Sequence, residues 1–141
     1  MPDYRIARET DAAEEVANKV LAELLAFNAR QGGDLNIERL VLSVRADDGA
    51  LLGGLVAMQY WNGMFVDLLW IHEKLRGHGL GRELMRRAEA SLAARGGEIV
   101  FLSTWSFQAP GFYEKLGYTS FGTLHGVPPD GSRTWYFKRL K

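Results

Sequence analysis

The chain has no cysteine. That excludes disulfides, a thiol nucleophile and any zinc site built on cysteine, and it suits a reducing cytoplasm. An excess of charge is missing too: 17 lysines and arginines balance 17 aspartates and glutamates, so no global field recruits nucleic acid or an anionic membrane. No apolar run approaches the roughly 20 residues needed to cross a bilayer. The opening Met1-Pro2-Asp3-Tyr4-Arg5 is polar, unlike a secretory signal. Repeats, linkers and low-complexity tracts are absent. What is present is ordinary globular composition, 47% apolar and 24% charged, in a chain long enough for one domain, residues 1–141, to bury a core without staples. The expectation is a soluble, cytoplasmic protein with no metal centre.

Hydrophobic periodicity supplies an element order. Tyr4 to Arg8 alternates as a short strand does. Asp11 and Glu14 offer a helix N-cap with its reciprocal partner, and Ala13, Val16, Val20, Leu21, Leu24 and Phe27 line one face of a long helix running towards Gly32-Gly33. Ile37 to Ala46 follows as a strand, Asp47-Asp48-Gly49 as a hairpin turn, and Leu51 to Trp61 as the returning strand. Asn62-Gly63 marks a second hairpin. The next strand, Phe65 to Ile71, is apolar throughout except for Asp67, the pattern of a central strand. Beyond it, Leu80, Leu84, Met85, Ala88 and Leu92 share a helical arc over roughly residues 79–95, ended by Gly96-Gly97. Glu98 to Thr104 reads as a strand entered through a right-handed crossover, hence parallel to the strand before the helix, and parallel neighbours can splay where a ligand enters. A short helix from Pro110 is closed by Gly117. Tyr118 to Leu124 and Arg133 to Leu140 make a last antiparallel pair, at a sheet edge by this topology. Trp135, Tyr136 and Phe137 make that edge adhesive, so a two-fold homodimer is expected.

The chemistry centres on Arg76-Gly77-His78-Gly79-Leu80-Gly81, at the junction between the central strand and the amphipathic helix. Glycines there allow backbone angles closed to other residues, and the helix's first turn presents unpaired N–H groups and partial positive charge to an anion. A diphosphate fits that description. The dinucleotide fingerprint G-x-G-x-x-G does not match, nor does the nucleotide loop G-K-[ST], because Arg82 and Glu83 follow Gly81. What matches is Arg-x-x-Gly-x-Gly, carried by Arg76, Gly79 and Gly81, which resembles the acetyl-coenzyme A signature of the GNAT N-acetyltransferase superfamily. A second segment, Ala109-Pro110-Gly111-Phe112-Tyr113-Glu114-Lys115-Leu116-Gly117-Tyr118, resembles that superfamily's A-x-x-x-Y-E-K-L-G-F. The element order agrees with the family's along essentially the whole chain, with one of its usual two N-terminal helices merged or missing.

The resemblance implies an α/β (α+β) GNAT acyl-CoA N-acyltransferase fold: a central mixed, mostly antiparallel sheet of about six to seven strands, splayed between its central strands and flanked by helices. It implies acetyl-CoA as co-substrate and an amine as acceptor. Gly77, His78, Gly79, Leu80 and Gly81 would hold the diphosphate through backbone N–H groups, with Arg76 adding charge. Leu69 and Ile71 would pair with the pantetheine arm as an added strand does, and an N–H near Trp70 or Ile71 would point at the thioester oxygen. Tyr113 matches the family's general acid. Many relatives carry Asn seven residues before that tyrosine; this chain departs from the pattern with Ser106 there, so a coenzyme contact at that position would have to come from a hydroxyl in place of the amide.

Two residues are candidates for the base that takes the ammonium proton. Asp67 is a lone carboxylate on an apolar strand, and His72 carries an imidazole, the side chain whose unperturbed pKa lies near neutrality; the sequence does not choose between them. His78 and His125 read as exposed loop residues. Gln59, Tyr60, Trp61, Trp105, Phe107 and Trp135 could wall an acceptor pocket, since aromatic faces attract cations, or could be packing. Three functions compete: an N-acetyltransferase acting on a small primary amine, or on a protein N-terminus or lysine; a non-catalytic acyl-CoA sensor with the same cradle; and a plain interaction module with a Gly-rich turn. Tyr113 favours the enzyme, because a sensor has no use for a proton donor beside the sulfur.

Overall fold

A computed structural model of the protein describes residues 3–140. The chain divides into two compact units, Met1–Leu35 and Asn36–Lys141. The first holds one helix, α1 (Ala13–Gly32), with a Lys19–Glu23 ion pair one turn apart at 2.8 Å. Two expectations fail here. Residues 4–8 form no strand, since alternation without a neighbouring edge leaves the ladder groups unpaired. The N-cap is Ala12 rather than Asp11, with no side-chain cap bond.

The second unit is a six-stranded mixed sheet with two helices. Its strands are β1 (Glu38–Arg45), β2 (Leu51–Tyr60), β3 (Gly63–Ile71), β4 (Ile99–Trp105), β5 (Thr119–His125) and β6 (Ser132–Arg139), in spatial order β1-β2-β3-β4-β6-β5. The helices are α2 (Leu80–Ala94) and α3 (Pro110–Lys115). Only β3 and β4 pair in parallel, as a helical crossover requires. The β1–β2 turn is the expected one, with Gly49 at φ +89° and the Asp48 carboxylate accepting from the Ala50 N–H at 2.9 Å. The β2–β3 turn is shifted by one residue: Tyr60 pairs with Gly63, so its two central residues are Trp61, at φ +50°, and Asn62. The C-terminal strands also differ from expectation. β6 inserts between β4 and β5, which leaves β5 alone at the edge, and Tyr136 is 2% exposed in the core.

One face of the sheet carries the core. Leu84, Met85, Ala88 and Leu92 of α2 are buried with Leu55 and Ala57 of β2, Met64 and Val66 of β3, and Val100 and Leu102 of β4. Each leucine, valine or methionine among them contributes about 1.5–3 kcal/mol on removal from water, and each alanine less. The far end of α2 is held by polar contacts. Gln59, fully buried, donates to Ser91 Oγ at 3.1 Å and accepts from Arg95 Nη1 at 2.8 Å. Arg95 also binds Glu38 and the Asn36 carbonyl. Gln59 is therefore a clamp of the helix-bearing face rather than part of a pocket wall.

Candidate active site

The pairing of β3 with β4 covers only Gly63↔Ile99, Met64↔Val100 and Phe65↔Phe101. Beyond that point each strand keeps its other neighbour: β3 stays on β2 as far as Gly53↔Ile71, and β4 stays on β6 as far as Trp105↔Arg133. The sheet is thus split, with Asp67–Ile71 and Leu102–Trp105 on its two arms. The split is set by a β-bulge. Val56 pairs with Leu68 and Ala57 with Val66, so Asp67 is the extra residue, and such an insertion bends its strand.

The register decides which backbone groups face the gap. The His72 N–H donates to the Leu52 carbonyl at 2.8 Å. In an antiparallel ladder alternate residues turn to the same neighbour, so Trp70 and Leu68 also bond to β2, and the Trp70 carbonyl lies against Gly53. Leu69 and Ile71 turn the other way. Their N–H groups point into the split, where an extended chain can add as a strand. Of the two donors expected near the thioester, Ile71 is presented to the gap and Trp70 is not.

The glycine loop leads from β3 through a short 3-10 turn, Glu73–Leu75, to α2. Gly77 (φ +83°) and Gly79 (φ +81°) both need the left-handed region, and no atom lies within 4 Å of where their Cβ would be. Gly81 is a glycine for another reason: a Cβ there would stand 3.1 Å from Phe112 Cζ, so its absence lets α3 close on the start of α2. The first backbone bond of α2 runs from the Glu83 N–H to the Gly79 carbonyl at 3.0 Å, which leaves the N–H groups of Leu80, Gly81 and Arg82 without an intrahelical acceptor. Arg76 Nε donates to the Ile71 carbonyl at 3.2 Å, and among the described residues its guanidinium has no carboxylate partner. His78 is exposed on the loop. Glu83 is the one acid in the first turn of α2. Hydrogen bonds from Arg86 and then Arg87 hold its pKa down at about 2 and offset its charge beside the loop.

Tyr113 projects from α3 into the core, 8% exposed, within 6.1 Å of the rings of Phe112, Tyr118 and Tyr136. Its two tyrosine neighbours have their hydroxyls engaged: Tyr118 donates to Glu89 at 2.8 Å, in a pocket shared with Lys138, and Tyr136 donates to Glu114 at 3.1 Å. The Tyr113 hydroxyl has no hydrogen-bond partner among the described residues, yet no buried side-chain polar atom there is left unsatisfied. The ring is buried and the hydroxyl is the part that reaches solvent. Burial pushes its pKa up to about 12, so the phenol keeps its proton at neutral pH.

The two candidate bases lie elsewhere. Asp67 is exposed at the bulge, next to exposed Leu68, and the bulge moves the core-facing positions of β3 from the buried Met64 and Val66 to the half-buried Leu69 and Ile71. His72 Nδ1 accepts the Lys74 N–H at 3.1 Å, capping the 3-10 turn; its lone pair is occupied, whereas the Asp67 carboxylate has no hydrogen-bond partner among the described residues. Ser106 Oγ accepts the Ser132 N–H at 3.1 Å and clasps the end of β4 to β6. The aromatic set does not form one pocket. Tyr60 and Trp61 sit at the closed end of the sheet, with Tyr60 against Phe101, and Phe107 is 71% exposed.

The model of one known family, the acetyltransferase (GNAT) family, matches residues 7–118 of the sequence. The chain belongs to that family. This GNAT chain is 31% identical over 132 residues to acetyltransferase Atu2258 of Agrobacterium fabrum, covering 93% of the chain and 96% of that protein. It is 45% identical over 82 residues to blasticidin-S acetyltransferase of Streptomyces morookaense, a match that spans 57% of the chain and only 60% of that relative's length. Among solved structures, a putative acetyltransferase from Agrobacterium tumefaciens superposes with TM-score 0.88 at 29% identity, over 99% of this chain and 100% of the other. An aminoglycoside 6'-N-acetyltransferase complexed with coenzyme A shares the fold, with TM-score 0.65 at 22% identity over 97% of this chain and 98% of that one. The GNAT motifs single out the loop and Tyr113 as candidates. They did not reveal the packing of Phe112 on Gly81, nor Arg133, which lies between Trp105 and Trp135; pairing across strands leaves no local sequence signal.

Proposed function

We propose that this GNAT chain transfers the acetyl group of acetyl-CoA to a primary amine of a small molecule, by direct attack in a ternary complex. The observation that carries this is the split between β3 and β4, with the N–H groups of Leu69 and Ile71 turned into it and the open glycine loop at the same end. Gly77 to Gly81 and the first turn of α2 would receive the diphosphate, with Arg76 beside them. The pantetheine arm would then run along β3, and the Ile71 N–H would donate to the thioester oxygen as negative charge develops there. Tyr113 lies on the helix-bearing side and supplies a donor to the departing sulfur. Asp67 is exposed at the bulge and is the better-placed base for the incoming ammonium, because the lone pair of His72 is already used. A small-molecule acceptor is supported by the similarity to an enzyme named for blasticidin S. Self-association through β5, exposed along its whole length, belongs to the same proposal, and light scattering at micromolar protein would return a dimer mass.

The test is to incubate the purified protein with acetyl-CoA and a panel of primary amines while following thiol release. Amine-dependent release, with acetylated amine found by mass spectrometry, is expected. Tight coenzyme binding with no acetylated amine or peptide across the panel would return the chain to the sensor reading.

A further inference from the structure

Arg133 stands out among the arginines of the sheet. Its Cζ lies 4.8 Å from the ring centroid of Trp105 and 4.8 Å from that of Trp135, and its Nε donates to Ser103 Oγ at 2.8 Å. The four residues form two adjacent cross-strand pairs, Ser103↔Trp135 and Trp105↔Arg133, which fixes the stack through the backbone. Arg95, similarly half-buried, is satisfied by Glu38, Gln59 and a carbonyl. Arg133 has no such partner: among the described residues no carboxylate pairs with it, and its terminal Nη groups have no protein acceptor. A guanidinium flanked by two indoles has given up water on its flanks and keeps only its edge for hydrogen bonding. That edge is a planar fork matched to a carboxylate.

Its position gives the fork a use. Ser103 and Trp105 lie on β4 beyond the last β3–β4 pair, on one arm of the split. Burial alternates along β4, with Val100, Leu102 and Thr104 buried, so Ser103 and Trp105, and with them Arg133 and Trp135, belong to the sheet face opposite the α2 core. Exposed Leu68 and Trp70 occupy that same face on the other arm, beside Asp67. We propose that Arg133 binds a carboxylate of the acceptor, so that the preferred acceptors are amines that also carry an acid group; this rests on the acetyl-transfer reading above. The acid would be held on the β4–β6 arm while the amine faces Asp67. The indoles then position a cation of the protein rather than caging the cation of the substrate. One guanidinium also matches a singly charged carboxylate better than a phosphate, whose charge near −2 calls for more than one cation.

The experiment compares matched primary amines, each ω-amino acid against its own carboxamide, in the wild-type protein and in Arg133→Gln and Arg133→Lys. In the wild type the acid should be the better substrate. In Arg133→Gln its KM should rise roughly 10–100-fold, the worth of a charge-assisted hydrogen bond, while the carboxamide changes little, and lysine should restore only part because it lacks the planar fork. Acetyl-CoA affinity by calorimetry should be equal in all three. Acid and carboxamide turned over equally by the wild type, an unchanged KM in Arg133→Gln, or a phosphorylated amine preferred over the carboxylate would overturn the assignment. Failure to bind acetyl-CoA would instead overturn acetyl transfer itself. A second readout is independent of turnover: the Arg133 Nε–H resonance, protected by Ser103 and identified by its loss in Arg133→Lys, should shift saturably with the amino acids and not with their carboxamides. No saturable shift with any acid would contradict carboxylate binding.

Discussion

Replacing Tyr113 with phenylalanine removes one oxygen and leaves the ring contacts with Phe112, Tyr118 and Tyr136 in place. The hydroxyl has no protein partner among the described residues, so stability at neutral pH should move by less than about 1 kcal/mol. The catalytic effect follows from the pKa. A phenol at about 12 facing an alkyl thiol near 8.5 would lose roughly 3.5 units, about 5 kcal/mol, by handing its proton over completely. Sharing it in a hydrogen bond to the developing thiolate avoids most of that cost. Such a bond contributes about 1.5–3 kcal/mol, which converts to a fall in kcat of about 10–150-fold. Only its upper end reaches the 10²–10⁴-fold typical of full general-acid catalysis. The assay is thiol release at saturating acetyl-CoA and amine, with coenzyme affinity measured separately and expected to be unchanged. A kcat within about threefold of wild type would show that the hydroxyl is dispensable and the residue only packing. The same burial has a consequence at high pH. The folded state favours the neutral phenol, so its contribution is intact below the unfolded pKa near 10 and is lost as pH rises through about 12. Up to about 3 kcal/mol is at stake at this residue. Denaturant titrations at pH 8 and pH 11 should therefore show a smaller alkaline loss in Tyr113→Phe than in the wild type.

Gly79→Asp places a carboxylate in the space left open at φ +81°. Acetyl-CoA binding should disappear from calorimetry while the fold survives a backbone cost of about 1–2 kcal/mol; unchanged affinity would remove the loop from the site. Asp67→Asn should lower kcat/KM by roughly 10²–10⁴-fold with coenzyme affinity intact, and an active Asp67→Asn beside an inactive His72→Gln would transfer the base role to the histidine. Gly97→Ala is purely a stability prediction: its Cβ would lie 2.2 Å from Leu92 Cδ1, a fully buried side chain at the end of α2. Overpacking of that kind costs about 1–3 kcal/mol, and a melting temperature equal to wild type would mean that the turn relaxes freely.

The apolar arc of α2, the Asp47-Asp48-Gly49 turn and the Gly117 end of α3 were legible because each is decided by neighbours within a few residues of sequence. The β2–β3 turn was misread by one position because Asn62-Gly63 carries the usual hairpin residues while Trp61 takes the positive φ instead. That turn is anchored from outside, by the Glu98 N–H donating to the Asn62 carbonyl at 2.8 Å, which no local pattern displays. The same holds for the strand order. Sequence places β6 after β5 but cannot show that β6 lies between β5 and β4, which takes Tyr136 off the supposed edge and into the core. In the site, the motifs marked the loop and Tyr113 because glycine conformations and helix starts are local. The bulge at Asp67, which turns Leu69 and Ile71 into the split, depends on register with β2 and is silent in the sequence of β3.

Amide hydrogen exchange at Leu69, Trp70 and Ile71, with and without acetyl-CoA, tests most directly whether the split is the coenzyme site. In the free protein the Trp70 amide, bonded to β2, should exchange slowly and those of Leu69 and Ile71 quickly. Addition of acetyl-CoA should slow Leu69 and Ile71 severalfold and leave Trp70 as it was. If the coenzyme binds and both amides exchange as fast as before, the pantetheine arm does not lie along β3, and the donor role assigned to Ile71 falls with it.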